Sequence, residues 1–397
     1  MTPRAVAALG IGQCVNWGVL YYAFAVLVLP LERELGVATW AVTGAFSLAL
    51  LMSAALAPAI GRWADRDRGP LMMQVGGVSA SVVLAAWTFV PGVLALYAVW
   101  AGLGICMAAT LYEPAFVIVG RTFGDPAGRL RALAVVTLFG GLASTAFLPG
   151  TALLVDAGGW RGAVRVLAAL LLLSTGMTRT LVFRNMPGPP LDSATLVRSV
   201  RPAPDARPDR APFLFAVACF ALSSLASAGF AANLVPALAE RGVSPASAAM
   251  LGGLMGVMQL PGRALMMNGA LGGSPARLVA ASLILHAVGL GAVAVAPSTL
   301  VAACGTMTIA LGAGLTALVR PHLIQTMFTS GGYLNGRLAR HQQLARAAGP
   351  LVVAWLGSII GYAATLAAIA AAFTLVALAS LEVLGDIRGA APAKDAG

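Results

Sequence analysis

The chain carries the stretch FAVLVLPLERELGV at residues 24–37, and a related stretch, FAANLVPALAERGV, lies at residues 230–243. The two stretches share Phe, Ala, Pro, Glu, Gly and Val at an offset of 206 residues. A second pair, Glu113-Pro114 and Arg320-Pro321, matches at an offset of 207. Two matches at nearly the same spacing indicate that the chain arose by duplication of one unit.

The composition excludes a soluble fold. Of the 397 residues, 59% are hydrophobic and 10% are charged, whereas a soluble protein has about 25% charged residues. A transmembrane helix needs about 20 apolar residues, and three of the charge-free intervals are long enough for two helices each, with breaks at Pro91-Gly92, Pro297-Ser298 and near Gly361. The sequence therefore predicts an all-α, polytopic membrane protein with twelve transmembrane helices. The charge-free intervals are 5–31, 35–61, 69–112, 132–155, 166–178, 211–239, 242–262, 278–319 and 347–381.

A proline-rich segment at residues 184–210 separates the first six predicted spans from the last six. It contains six Pro, five Arg and three Asp with little apolar content, which is typical of a solvated linker. We expect an N-terminal six-helix bundle at 1–183, a cytoplasmic linker at 184–210, and a C-terminal six-helix bundle with a short tail at 211–397. All but four of the 25 basic residues then lie on the side of the two termini, so the positive-inside rule predicts that both termini are cytoplasmic.

Two short motifs flank the predicted spans of the first half. Residues 61–69, GRWADRDRG, follow the second span, and residues 159–161, GWR, precede the sixth. With these motifs and its duplication, the chain resembles the major facilitator superfamily over essentially its whole length. Residues 111–114, LYEP, together with aromatic residues of the first span, resemble the bacterial oxalate/formate and monocarboxylate carriers. The resemblance implies two pseudo-symmetric six-helix bundles around a central cavity lined by spans 1, 4, 7 and 10.

Five charged residues are candidates for gating or coupling. By the resemblance, Asp65 and Arg66 hold the cytoplasmic side closed. Arg68 departs from the family's order of residues, and Arg263 lies in a remnant of the same motif after the eighth span. Glu113 is an acid in a long apolar stretch, where a carboxylate is costly. It is either a proton carrier or a gate that pairs with Arg66 or Arg68, and its place near the cytoplasmic boundary favours the gate.

Two further arginines lie at the cytoplasmic ends of predicted spans. Arg320 ends the tenth span and could attract an anionic solute, complete the gate across from Glu113, or simply extend to the membrane boundary. Arg346 belongs to a polar cluster at the entry to the eleventh span. The carboxylate carriers that the chain resembles bind their anion with a basic residue deep in the eighth or eleventh span. Arg263 and Arg346 are instead predicted toward the cytoplasmic ends of these spans, which argues against a carboxylate substrate.

Polar and aromatic residues share one face of the first predicted span at 100° per residue, and the repeat projects a second face onto the seventh span. A polar face in a membrane indicates a partner or an aqueous cavity. The alternatives are hydrogen bonding between helices for the amides and close packing for the small hydroxyl residues. We expect the first half to supply most solute contacts. The predicted solute-binding residues are Gln13, Asn16, Trp17, Tyr21, Phe24, Tyr112, Ser223, Ser227 and Asn233.

These features predict a secondary active transporter that moves a small organic solute by alternating access, with protons as a further partner if Glu113 titrates. The chain has no GxxxxGK[ST] phosphate-binding loop, which argues against an ATP-driven pump. It also has no cluster of His or carboxylates within its spans, which argues against an enzyme. We expect no cofactor, no resident metal and no nucleic-acid partner.

Three alternatives stay open at this stage. They are a drug or metabolite efflux carrier, a copper importer that uses methionine sulfurs, and a sensor of the same fold that does not transport. Arginine outnumbers lysine 24 to 1, which is typical of a GC-rich bacterial gene and indicates the bacterial inner membrane. We expect a monomer.

Overall fold

The computed structural model describes residues 1–63, 68–89, 92–123, 126–185, 210–267, 275–327 and 331–384. Within these ranges the chain is helical apart from short turns, and it contains no strand. The first helix begins at Pro3, whose missing N–H costs nothing in a first turn, and the Thr2 hydroxyl accepts a hydrogen bond from the Ala5 amide at 3.3 Å.

The described residues form the twelve predicted membrane-spanning helices. Nine helical segments are long and apolar enough to cross a membrane. Two of these segments contain a break and hold two spans each, and the helix Pro245–Met267 is a further span. The helices are α1 (Pro3–Trp17, Gly18–Tyr22 and Ala23–Leu35), α2 (Thr39–Trp63), α3 (Gly69–Trp87), α4 (Val93–Thr110 and Tyr112–Thr122), α5 (Pro126–Gly141 and the part of Ala143–Leu181 before Gly158), α6 (the rest of Ala143–Leu181), α7 (Arg210–Ala232 and Leu234–Ala239), α8 (Pro245–Met267), α9 (Pro275–Val295), α10 (Thr299–Met327), and α11 and α12 (Gly331–Val383, before and after Gly361).

Two glycines make the sharp turns that separate α5 from α6 and α11 from α12. Gly159 has φ 66° and Gly361 has φ 80°, a left-handed conformation that glycine adopts without a steric penalty. The predicted break near Gly361 is therefore confirmed. We call the membrane face with these two turns the turn face, and the face where the chain begins the terminal face.

Each half has its own apolar core. Phe24, Phe46 and Trp100 lie at the centre of the first, with ring centroids 4.5 Å apart for the two Phe and 4.7 Å apart for Phe24 and Trp100. The second is built around fully buried aromatic residues such as Phe220 and Phe373. The outer surface is also apolar, since side chains such as those of Leu94 and Leu173 are exposed. Lipid must cover this surface.

The two halves meet along two pairs of helices, α2 with α11 and α5 with α8. The Leu351 amide donates a hydrogen bond to the Ser47 hydroxyl at 3.0 Å. In the other pair, a Cβ on Gly256 would lie 2.6 Å from the Gly141 carbonyl oxygen, so a residue without a side chain is needed for this approach. We call the interface between the halves the seam.

The duplicated stretches of the sequence have matching structural roles. Glu34, at the end of α1, accepts hydrogen bonds from Trp160 Nε1 at 2.6 Å and from Arg161 Nη2 at 2.6 Å, at the start of α6. Its counterpart Glu240, at the end of α7, accepts hydrogen bonds from the backbone amides of Tyr362 at 2.9 Å and Ala363 at 3.2 Å, at the start of α12. In each half, an acid at the end of the first helix thus holds the first turn of the last helix.

Candidate functional site

The first helix contains a π-helical turn at Gly18–Tyr22, which the sequence pattern did not predict. A π turn holds one residue more than an α turn, so the residues beyond it are rotated by about 100° from the positions that a regular helix gives. Phe24 is accordingly fully buried between Phe46 and Trp100 in the first core. This position differs from the one that a regular helix would give, and the solute-binding role of Phe24 stays a prediction.

Gln13 and Asn16 are both buried, and both satisfy a break in α4. Pro114 has no amide hydrogen, so the Thr110 carbonyl lacks the donor that a regular helix would provide four residues later. The Gln13 and Asn16 side-chain amides donate to this carbonyl at 2.8 and 3.0 Å. This is the helix-to-helix role that the sequence left as an alternative. The Gln13 Oε1 atom remains buried without a partner among the described residues.

Aromatic side chains from α1 and α4 form one wall of the site. The Trp17 ring lies 5.3 Å from that of Tyr21 and 4.9 Å from that of Tyr112, and Tyr112 stacks on Phe116 at 5.1 Å. Trp17 is half-buried, and its Nε1 atom has no partner among the described residues. Four aromatic residues were predicted to bind solute. The structure brings three of them together, Trp17, Tyr21 and Tyr112, and places the fourth, Phe24, in the core.

A chain of hydrogen-bonded polar side chains joins α7, α10 and α11, and we call it the polar wall. Arg320 Nη1 of α10 donates to Gln342 Oε1 of α11 at 2.6 Å, and Gln342 Nε2 donates to the Ser224 hydroxyl of α7 at 3.1 Å. The Arg320 Nε atom is buried and has no partner among the described residues. Ser224 was not predicted, because the projected repeat selected the neighbouring Ser223 instead.

Four residues of the two halves are within electrostatic range of one another across the seam. Glu113 of the first half and Arg346 of the second both act electrostatically on the Arg320 guanidinium. Arg346 also acts on Tyr21 of the first half. Glu113 is exposed and forms no ion pair within 4 Å among the described residues.

Arg346 lies within the helix α11 and not at its end. It lies halfway along α11, 15 residues after Gly331 and 15 before Gly361, which is about 22 Å from either end at 1.5 Å per residue. The sequence placed it at the cytoplasmic end because the spans were bounded by their first charged residue. The placement of Arg346 toward the cytoplasmic side and the argument against a carboxylate substrate stay predictions.

Ser227 and Asn233 contact other helices of the second half, whereas Ser223 bonds within its own helix. Ser223 donates to the Cys219 carbonyl of its own helix at 3.0 Å, and Ser227 lies 3.1 Å from His286 Nε2 of α9. The Asn233 side chain is fully buried; its Nδ2 donates to the Pro350 carbonyl at 3.0 Å, and its Oδ1 accepts from the Tyr362 hydroxyl at 3.1 Å. Ser227 therefore points to α9, and Asn233 points to α11 and α12, and their solute-binding roles stay predictions.

The predicted gating residues are only partly within the described residues. Asp65 and Arg66 lie outside them, as does the Arg263 side chain. Arg68 is exposed at the start of α3. The gating roles of these four residues therefore stay predictions.

No group of three His, Cys, Asp or Glu that could hold a metal ion is found in the described ranges. The methionines of α8 that suggested copper do not share one face. Met250 is exposed and Met255 is buried.

Comparison with known proteins identifies the family. The model of the Major Facilitator Superfamily matches residues 9–337, and the chain belongs to this superfamily. It is a multi-pass membrane transporter. No curated protein sequence matches the chain.

Two solved structures share the fold. One is a bacterial homologue of the human lysosomal transporter Spinster in an inward-facing and occupied conformation, with a TM-score of 0.75, 15% identity, and coverage of 99% of this chain and 100% of that one. The other is a mutant of the peptide transporter POT in complex with alafosfalin, with a TM-score of 0.72, 16% identity, and coverage of 97% and 95%. At these identities the likeness extends to the fold alone.

Proposed function

We propose that the protein is a secondary carrier that moves a small organic solute across the membrane by alternating access. Residues 1–183 and 211–397 rock as two bodies, joined by the linker at 184–210, and open the seam to one side at a time. The observation that carries the proposal is the set of buried polar atoms, from both halves, that have no partner among the described residues: Gln13 Oε1 and Trp17 Nε1 in the first half and Arg320 Nε in the second.

The solute binds between the aromatic wall and the polar wall. Buried polar atoms almost always have a hydrogen-bond partner, yet Gln13 Oε1, Trp17 Nε1 and Arg320 Nε have none among the described residues. A bound solute, or water in its place, supplies those partners. Tyr21 and Tyr112 complete the aromatic side, while Asn16 serves the α4 break and takes no part in binding.

Glu113 and Arg320 act as a gate. The two side chains influence each other electrostatically but form no ion pair in this conformation. If they move closer and form an ion pair, that pair stabilises the closed terminal face, together with Asp65, Arg66, Arg68 and Arg263. Coupling of closure to a proton gradient stays a prediction.

The proposal also includes the membrane in which the protein lies and the side on which its termini lie. The bias of basic residues supports a cytoplasmic location for both termini, and the arginine-rich composition supports the bacterial inner membrane. The protein works as a monomer, because one chain supplies both walls. The resemblance to oxalate/formate and monocarboxylate carriers stays a prediction.

The proposal is tested by the accessibility of a thiol at the seam. The four native cysteines are replaced and Tyr21→Cys is introduced; we call the sulfhydryl group of this variant the seam thiol. A membrane-impermeant thiol reagent is added to one face of oriented vesicles at a time. We expect reaction from either face, because each conformation opens one of them.

Leu173→Cys is the matched control for this experiment. The Leu173 side chain is 71% exposed but faces lipid, where a thiol does not ionise, so the control thiol should stay unreacted. Failure of the seam thiol to react from either face would overturn the proposal.

A further inference from the structure

We infer that a groove between α3 and α6, on the terminal face, binds the phosphate group of an anionic phospholipid. Both helices belong to the first half, so the inference goes beyond the proposed transport function and does not depend on the seam. It rests on the place of the groove, on its charge, and on the apolar surface that continues from it.

The groove lies where two membrane-spanning helices of the first half end. α3 begins at Gly69, while α6 ends at Leu181 and is followed by a 3₁₀ turn at Phe183–Asn185. Between them is an open groove of about 430 Å³, within the range of about 300–1,000 Å³ that is usual for ligand pockets. Because both spans end here, the groove lies at the boundary between the apolar part of the membrane and its headgroups.

The two sides of the groove are held together by direct contacts between α3 and α6. Gln74 Nε2 of α3 donates to Thr178 Oγ1 of α6 at 3.2 Å, and Thr178 Oγ1 donates to the Thr175 carbonyl at 2.9 Å. A Cβ on Gly77 would overlap the Thr175 hydroxyl, so the helices approach closely at this point. The groove is therefore formed by packed helices and exists before a ligand binds.

Two arginines give the groove a positive charge. It is lined by Leu71 and Gln74 on the side of α3, and by Arg179, Phe183 and Arg184 on the side of α6 and the turn that follows. No acidic residue is among the described residues that line it, and neither arginine forms an ion pair within 4 Å in the part of the chain that the structure describes. Guanidinium groups are well suited to bind phosphate oxygens. The groove therefore offers two such groups and no competing carboxylate.

Apolar surface continues from the groove along both helices. Leu71, Val75 and Val78 are exposed on α3, and their spacing of four and three residues places them on one face. On α6, Leu172 is exposed, and the space beside Gly176 is open. A soluble phosphate compound would make no use of this surface, whereas the acyl chains of a phospholipid would cover it. Basic pockets between transmembrane helices bind lipid headgroups in this way.

The inference is tested on the full chain in detergent by native mass spectrometry. The protein is mixed with equal amounts of dioleoyl phosphatidylglycerol, which is anionic, and dioleoyl phosphatidylcholine, which has the same acyl chains and no net charge. The ratio of the two complexes with one bound lipid measures the preference. We expect a preference of about fivefold for phosphatidylglycerol, which is the effect of one arginine near an anionic membrane surface.

Arginine variants assign the preference to the groove. Arg179→Gln combined with Arg184→Gln removes both of its charges and should reduce the preference to less than about twofold. The matched control is Arg277→Gln combined with Arg340→Gln, which removes two exposed arginines from the second half and should retain the preference. Equal losses in the two double variants would show that the preference follows the net charge of the protein, and would overturn the inference.

Glycerol 3-phosphate distinguishes a lipid from a soluble phosphate. It carries the phosphate without the acyl chains, so at the concentration of the lipid it should not displace phosphatidylglycerol. Displacement would assign the groove to a soluble anion and would overturn the inference. The absence of a preference in the unmodified protein would also overturn it, because another occupant, such as a further segment of this chain, would then fill the groove. Neither result would affect the proposed transport function.

Discussion

Glu113 and Arg320 occupy the same position in the two halves of the molecule, each directly before a proline in the fourth helix of its half, and they carry opposite charges. They also interact electrostatically across the seam. Parallel repeats are related by an axis along the membrane normal, so equivalent positions near that axis face each other. Like charges at such a position would repel, whereas this pair attracts.

The acids Glu34 and Glu240, by contrast, do not bind across the seam. They are also equivalent, but each binds within its own half, and both remain glutamates. Their partners differ: side chains of Trp160 and Arg161 in one half, and backbone amides in the other. The comparison teaches that the halves have stayed alike where a residue supports its own bundle and have diverged where they face each other. We expect the transport chemistry at the positions that diverged.

The largest effect is expected at the α4 break. The double substitution Gln13→Ala and Asn16→Ala leaves the Thr110 carbonyl buried without a donor, which should lower the free energy of unfolding by about 2–3 kcal/mol. Thermal unfolding of the purified protein in detergent measures the loss. Ser223→Ala is the control from the second half, since Ser223 bonds its own helix, and it should change stability by less than about 0.5 kcal/mol. Equal losses of unfolding free energy in the two variants would contradict the role of Gln13 and Asn16 at the α4 break.

The next effect tests the pair of opposite charges. Glu113→Arg places a third positive charge beside Arg320 and Arg346, and it should change the ratio of seam-thiol labelling from the two membrane faces by about tenfold, or about 1.4 kcal/mol. Arg320→Glu should act in the same direction. The double exchange Glu113→Arg with Arg320→Glu restores the attraction and should recover most of the original ratio. A double exchange as disturbed as the single variants would show that the charges do not act on each other.

A smaller effect is expected at the cap of α12. Glu240→Ala removes the acceptor of the Tyr362 and Ala363 amides, in the manner of a lost N-cap, and should cost about 1 kcal/mol. The midpoint of thermal unfolding measures the cost. Glu240→Gln retains an acceptor oxygen and should lose less. If both variants unfold at the temperature of the unmodified protein, the carboxylate does not hold the helix.

The smallest effect is expected at the corresponding ion pair in the first half. The Arg161 and Glu34 side chains are 36% and 34% exposed, and exposed ion pairs contribute little. Arg161→Ala should therefore cost about 0.5 kcal/mol, and added salt should reduce the difference. A loss larger than that of Glu240→Ala would reverse the order proposed for the two halves.

Much of this architecture could be predicted from the sequence, because its causes are local. Lipid requires long apolar helices, glycine and proline mark the turns, and a duplication is visible in the chain itself. The site could be predicted only in part. The π turn at Gly18–Tyr22 leaves no signal in hydrophobic periodicity, and it moved Phe24 into the core.

The polar wall illustrates a second limit. Span boundaries were taken from the first charged residue, so Arg320 and Arg346 could only be placed at boundaries, although both helices continue past them. The choice of Ser224 over Ser223 likewise depends on how α7 and α11 pack. A helix's polar face can be found from one sequence, but its partner is set by tertiary packing.

The central claim is that the seam opens to one side at a time, and a cross-link on the turn-face side tests it most directly. Ser47 and Leu351 are in contact across the seam, eight residues after the start of α2 at Thr39 and ten before Gly361. Cysteines at these two positions are joined by a disulfide, and the seam thiol is then labelled from each face. We expect the disulfide to abolish labelling from the turn face and to preserve it from the terminal face, and reduction of the disulfide should restore labelling from the turn face. Unchanged labelling from the turn face after complete cross-linking would contradict the account.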